Sequence, residues 1–276
     1  VFEVYILCVL YTSFFMNTQS FSPVKLTADH VINVNRYTSD DSLERKKNEL
    51  VPPYRGLFGR IAINLFEKVS RALWCLEFKG IENLPTEGSF ILCPNHESHF
   101  DVFWIAMGLP QDIRDRLCCF AKQELFENPF HSAFAKVACA IPVDRDGYAR
   151  PALRAGVQTL KSARPLLIHP EGTRTRTGQI LPFLRGPAKL ALTTGAPLIP
   201  VRIIGAYTIF PSHRPFPRIF DWKQLKRLKL SIVFGAPIYP SRGQSQDKDF
   251  AFGQKEVATA HQLTEQLQEV VASLAD

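Results

Sequence analysis

The feature that most constrains this chain is the alternation of short apolar runs with longer stretches of helical composition. Phe90-Ile91-Leu92-Cys93, Leu117 to Ala121, Ala138 to Val143, Leu166-Leu167-Ile168, Leu198 to Ile204 and Leu230 to Phe234 are bounded by turn residues and suit buried strands. Between them, Val102 to Leu109, Glu124 to Val137, Ala152 to Ser162 and Ala188 to Thr194 have helical length and composition. Uniformly apolar strands need cover on both faces. The pattern therefore predicts an α/β fold: a single domain with a largely parallel twisted sheet flanked by helices. A closing amphipathic helix carries Val257, Leu263, Leu267, Val270, Val271 and Leu274 on one face.

Ahead of this pattern the chain reads differently. Residues 1–53 divide into an apolar run, Val1 to Met16, and a polar linker ending at Pro52-Pro53, which places the folded domain at 54–276. The apolar run contains Glu3 and is shorter than the roughly 20 residues that cross a bilayer, so a truncated transmembrane helix, an interfacial anchor and a non-native start all fit it. From Tyr54 to Trp74, Leu57, Phe58, Ile61, Leu65, Phe66, Val69 and Leu73 recur at helical spacing with Arg55, Arg60, Lys68 and Arg71 interleaved. Such a helix packs either on the core or, with its basic flank, on a membrane.

The formal charge of +7 is unevenly placed. Residues 145–230 carry 16 Lys/Arg against 3 acids, and the remainder is net acidic, so an anionic partner is implied: a lipid surface, a phosphorylated ligand or nucleic acid. Arg214, Arg218, Lys223, Lys226, Arg227 and Lys229, interleaved with Phe216, Phe220 and Trp222, suit a lipid surface. Nucleic acid is the poorer fit, because it leaves the polar clusters at the strand ends without a purpose. Six Cys with no C-x-x-C spacing exclude a disulfide scaffold and a zinc module and read as ordinary buried thiols.

Chemistry in such a sheet belongs where strands end and helices begin. The run Phe90 to Cys93 leads into Pro94-Asn95-His96-Glu97-Ser98-His99-Phe100-Asp101, where His96 and Asp101 have the composition of a general base and its orienting carboxylate. In one continuous helix these two would lie about 140° apart around the axis and could not touch. Their pairing requires His96 to precede the first turn, with Asp101 reaching back and Asn95 or Ser98 serving the cap. Metal ligation by His96, His99 and Asp101, or capping alone, are the alternatives. A second polar cluster, His169 to Gly178, follows Leu166-Leu167-Ile168; its glycines, threonines and arginines could grip an oxyanion. Arg145 and Arg185 stand at comparable places. No Walker loop, G-x-G-x-x-G or G-x-S-x-G elbow is present.

Asn95-His96 with Asp101, Val143-Asp144-Arg145, Pro170-Glu171-Gly172-Thr173-Arg174 and Ile199-Pro200-Val201 together resemble, in order and spacing, the four blocks of the glycerophospholipid acyltransferases, the nearest likeness being to the 1-acylglycerol-3-phosphate acyltransferases. The resemblance covers about 54–240. It implies a glycerol-phosphate-acyltransferase-like fold that moves a fatty acyl group from acyl-CoA or acyl-carrier protein to a hydroxyl of a glycerophosphate lipid, at a membrane, with the catalytic domain on the cytoplasmic side. It implies no metal or other cofactor, the acyl thioester being a co-substrate, and no nucleic-acid partner. His96 would be the base and Asp101 its partner. Arg145, Glu171, Gly172, Thr173 and Arg174 would bind the acceptor's phosphate, with Asn95, Ser98 and Arg185 in support, and Ile199, Pro200 and Val201 would line the cleft. One residue departs from the family pattern: the position before Pro170, usually aromatic, is His169. A non-catalytic protein of this fold that binds anionic lipids is the competing reading.

Overall fold

The computed structural model describes residues 52, 54–127, 129–143, 149–240 and 254–275. The opening apolar run, most of the linker and Arg145 lie outside the described residues. The elements, in chain order, are α1 (Leu57–Leu73), β1 (Cys75–Lys79), β2 (Ile91–Pro94), α2 (Asp101–Gly108), α3 (Gln111–Arg116), β3 (Cys118–Lys122), α4 (Pro129–Val137), β4 (Ala140–Val143), α5 (Ala149–Lys161), β5 (Leu166–Leu167), α6 (Gly186–Thr194), β6 (Leu198–Ile204), α7 (Ala206–Ile209), β7 (Phe220–Asp221), β8 (Lys226–Arg227), β9 (Lys229–Phe234) and α8 (Gln254–Ser273).

Seven strands form one sheet in the order β1-β9-β6-β2-β5-β3-β4, and β7 pairs with β8 in a separate hairpin. Only the β6–β9 pair of the large sheet is antiparallel. Both faces are covered, which is why β2 and β5 read as unbroken apolar runs and β6 is apolar but for Arg202. Phe90, Leu92, Trp104, Leu167, Ile199, Val201 and Ile203 belong to the core on the α1, α2 and α4 side; Ile91, Cys93, Leu166, Leu190, Leu198 and Leu267 belong to the core on the α5, α6 and α8 side. Successive residues of a strand thus alternate between two cores rather than between core and water.

The expected strands and helices are present, with some differences. Glu124 to Val137 is not one helix: a 3-10 turn, Gln123–Phe126, is followed by α4, whose first residue is Pro129. Proline has no N–H to continue a preceding helix and a φ that suits a first turn, so it starts α4. The edge strand β1 has no fully buried residue and carries Glu77 and Lys79, so it lacks the apolar signature of the inner strands. The charged α3 has Ile113 as its one buried aliphatic residue. Cys75, on β1, is exposed, unlike the buried Cys93, Cys118, Cys119 and Cys139.

Helix α1 divides its apolar residues. Ile63 is buried and Phe66 packs against the core, with its ring 5.2 Å from Phe100. Leu57, Phe58, Ile61 and Leu65 face outward, Leu57 at 75% exposure. At the other end of α1, Arg227 of β8 donates to the carbonyls of Arg71, Leu73 and Trp74, and Trp74 Nε1 donates to Arg218 O at 2.8 Å. The hairpin with exposed Trp222 and Leu225 at its turn is therefore fastened to the C-terminus of α1.

Candidate active site

The site assembles at the C-terminal ends of β2 and β5, which lie side by side in parallel register. After Pro94 the chain leaves β2 and makes one loop before α2 begins at Asp101. His96 lies in that loop, ahead of the first helical turn, and its Nδ1 meets Asp101 Oδ2 at 2.9 Å. The same Oδ2 accepts the backbone N–H groups of Glu97 and Ser98, each at 2.8 Å. Asp101 therefore folds the loop and orients the imidazole with one oxygen. Burial, its side chain being fully enclosed, pushes its carboxyl up to about 6, against the pull of His169 and those two N–H groups.

Neither Asn95 nor Ser98 caps α2, contrary to expectation: the N-cap position is Phe100 and has no side-chain cap. Asn95 instead bridges to β6, its Oδ1 accepting from Ile203 N at 2.7 Å and its Nδ2 donating to Ile203 O at 3.0 Å and to Glu97 Oε1 at 3.1 Å. Ser98 Oγ accepts from Phe100 N at 3.3 Å. Both residues are buried, so they frame the loop from beneath.

The second polar cluster is pinned to the first through the backbone of His96. His96 N donates to Glu171 Oε1 at 2.8 Å, and Thr175 N donates to His96 O at 2.9 Å. Glu171 Oε2 accepts from Leu181 N at 3.0 Å, so both carboxylate oxygens are held by backbone donors inside the protein. Glu171 was expected at the acceptor's phosphate; here both of its oxygens are taken by backbone N–H groups, which makes it part of the frame of the two loops. Burial raises its pKa, and the Leu181 and His96 N–H groups oppose that rise. Gly172 turns the chain with φ +69°, a conformation that favours glycine, and its N–H returns to His169 O at 3.1 Å. Thr173 is exposed. Arg174 is half-buried and in contact with His99, its Nη1 lying 2.9 Å from His99 Nε2. Arg185, at the N-cap of α6, borders a surface groove of about 410 Å³ with Phe183, Leu184 and His261.

Ile199 and Val201 are fully buried in the sheet core, and Pro200 O accepts from Gly235 N at 2.8 Å. These three residues were expected to line a cleft; they lie on the central strand β6, between β9 and β2.

Sequence reasoning missed Glu97 and Arg202 and noted His169 only as a departure from the family pattern. Glu97 joins the frame, accepting Asn95 Nδ2 on Oε1 and Tyr207 N at 2.8 Å on Oε2; burial pushes it up to about 7. Arg202 interrupts the apolar β6, and its charge draws both Glu97 and Glu171 down. Its Nε and Nη1 are buried without a hydrogen bond. His169 stacks on His96, ring centroids 3.7 Å apart and planes 15° from parallel. Among the described residues, His96, Asp101 and His169 form the one group whose ligand atoms are close enough to be tested as a metal site. The lone pairs of two stacked imidazoles lie in two parallel planes and do not converge on one ion, so the donor set does not fit a metal.

What the arrangement can do follows from its groups. A histidine that donates Nδ1–H to a buried carboxylate carries its lone pair on Nε2 and can take a proton from a bound hydroxyl. Polar loops rich in Arg and Thr stand beside it.

Comparison with known proteins points to one family. The profile of the acyltransferase family matches residues 75–204. The 1-acyl-sn-glycerol-3-phosphate acyltransferase of Bacillus subtilis is 31% identical over 160 residues, 57% of this chain and 71% of that protein. The enzyme of the same name from Helicobacter pylori is 31% identical over 189 residues, 61% of this chain and 78% of that protein. The crystal structure of the 1-acyl-sn-glycerophosphate acyltransferase of Thermotoga maritima superposes with a TM-score of 0.54 at 24% identity, covering 85% of this chain and 82% of that one, which supports the fold.

Proposed function

This chain belongs to the glycerophospholipid acyltransferase family, whose chemistry is O-acyl transfer, and on that premise we propose that it moves a fatty acyl group from a thioester of CoA or acyl-carrier protein to the free hydroxyl of 1-acylglycerol 3-phosphate. The observation that carries this reading is the 2.9 Å contact between His96 Nδ1 and the fully buried Asp101, at the mouth of a sheet where the surrounding backbone is fixed by Glu97 and Glu171.

An alcohol is a poor nucleophile at neutral pH and a thioester is already activated, so the demand falls on base catalysis and positioning. His96 Nε2 takes the hydroxyl proton as the oxygen attacks the thioester carbonyl. Asp101 stabilises the imidazolium that forms. The C–S bond then breaks, and the imidazolium returns its proton to the departing thiolate, giving phosphatidate and a free thiol. The proton count balances without a metal or redox cofactor. The acyl group passes directly between substrates, so no acyl-enzyme Ser or Cys is required. Arg174, with Arg145, Thr173 and the Gly172 backbone, is assigned to the acceptor's phosphate.

The acceptor and product are lipids, and the outward Leu57, Phe58, Ile61 and Leu65 of α1, with the basic, Trp222-bearing hairpin fastened to its end, are assigned to a cytoplasmic membrane surface. Among the described residues no helix is long and apolar enough to cross a membrane.

The test is to offer purified protein lysophosphatidate, other lysophospholipids and glycerol 3-phosphate in anionic vesicles, with acyl-CoA or acyl-carrier-protein donors, and to identify products by mass spectrometry. Phosphatidate should form fastest and the protein should sediment with the vesicles. Preferred acylation of another acceptor overturns the substrate assignment, and protein left in the supernatant overturns the membrane assignment.

A further inference from the structure

His169 follows β5 as His96 follows β2, and the parallel pairing of the two strands brings both loops to the same end of the sheet. Its ring is fixed from two directions. Nδ1 lies 3.1 Å from Asn95 O, a carbonyl that can only accept, so Nδ1 carries the hydrogen and the lone pair is on Nε2. One ring face lies against His96 at 3.7 Å. Nε2 is buried and makes no hydrogen bond, as does Asp101 Oδ1. A charged His169 would bring a second proton to Nε2, which makes no hydrogen bond, beside a base that must itself become a cation; the Asp101 carboxylate opposes this but burial outweighs it. Burial and the neighbouring His96 push its pKa down to about 3, in keeping with a ring that stays neutral.

We propose that His169 is a positioning residue for acyl transfer: its neutral ring, tethered to the Asn95 carbonyl, lies flat on His96 and fixes the plane in which His96 presents Nε2 to the acceptor hydroxyl. The role rests on His96 being the base. Asp101 holds His96 at one ring atom and leaves rotation about that hydrogen bond open; the stacked face of His169 closes it. Because the contact is through the ring face, a phenyl ring can replace it and a methyl group cannot.

The test compares His169→Ala with His169→Phe in the full chain. His169→Ala should lower kcat ten- to a hundredfold, the scale of a misplacement of about 1 Å, with the acceptor's KM within about threefold, and His169→Phe should restore kcat to within about fivefold. Independently of turnover, the low-field proton resonance of His96 Nδ1–H against Asp101 should shift or broaden in His169→Ala and persist in His169→Phe. That resonance is read on resting protein, so it reports on the stack even if His96→Ala left turnover intact and the base assignment fell. An unmoved resonance with unchanged kcat in His169→Ala, or a His169→Phe protein as impaired as His169→Ala, overturns the proposal.

Discussion

The sheet buries charge at both of its edges, and the two edges use it differently. At the N-terminal ends of β3, β4 and β5 two guanidinium groups, Arg55 and Arg164, are buried, and the buried carboxylate there, Asp115, is ion-paired with Arg60 at 3.0 Å. Arg55 donates to Val137 O at 2.8 Å and to Arg114 O; Arg164 donates to Arg116 O at 2.9 Å and to Pro52 O, with its guanidinium 4.8 Å from the Tyr54 ring. At the C-terminal ends of β2 and β5 the buried groups are Glu97, Asp101 and Glu171, with His96 and His169 stacked among them.

A guanidinium does not lose its proton in a protein, so the first cluster is a fixed clamp on backbone carbonyls. The thiols around it, Cys118, Cys119 and Cys139, are pushed up by burial, Cys118 to about 12, and are inert. The second cluster is built from groups that titrate, and burial moves Asp101 and Glu97 up to about 6 and about 7, where protons are exchanged near neutral pH. Chemistry belongs to the edge where charge can change hands.

Breaking the clamp should separate the two edges. Arg164→Met removes charge-assisted hydrogen bonds and strands buried carbonyls, so urea denaturation should show a loss of about 3 kcal/mol, while kcat per folded molecule stays within about twofold. A loss of turnover with no loss of stability would erase the distinction between the edges.

A smaller effect sharpens the same contrast. Glu97 has a folded pKa of about 7, raised above the 4.5 of an exposed glutamate, so between those values the native state keeps a proton that the unfolded chain releases. Its contribution to stability is therefore full below about pH 4.5 and is lost as pH rises through 7. Denaturation at pH 5 and pH 7.5 should show a fall in stability across that interval that is smaller in Glu97→Gln, by up to about 3 kcal/mol. Identical falls in the two proteins would mean that Glu97 is not held protonated by burial.

The two edges also differed in how readable they were. The run Pro94 to Asp101 places His96 and Asp101 in one stretch of sequence, and the impossibility of a helical His96–Asp101 pair puts His96 before the helix, where the structure has it. Glu171 is visible in the sequence as a residue, but its framing contacts are not, because its partners, His96 N and Leu181 N, are backbone groups that carry no side-chain signature. Arg202 was passed over inside an apolar strand: the sequence gives its charge but not the two carboxylates it faces across the fold. Arg55 and Arg164 looked like ordinary basic residues, since their acceptors are carbonyls 48 to 112 residues away. Residue type announces chemistry when partners are near in sequence; long-range backbone acceptors do not announce themselves.

The most direct measurement is the initial rate of acyl transfer to lysophosphatidate by His96→Ala, compared at equal folded concentration with the unmodified chain. A rate lower by about 10²- to 10⁴-fold with an unchanged unfolding transition is the predicted result. Equal rates would contradict the assignment of His96, paired with Asp101, as the group that takes the proton.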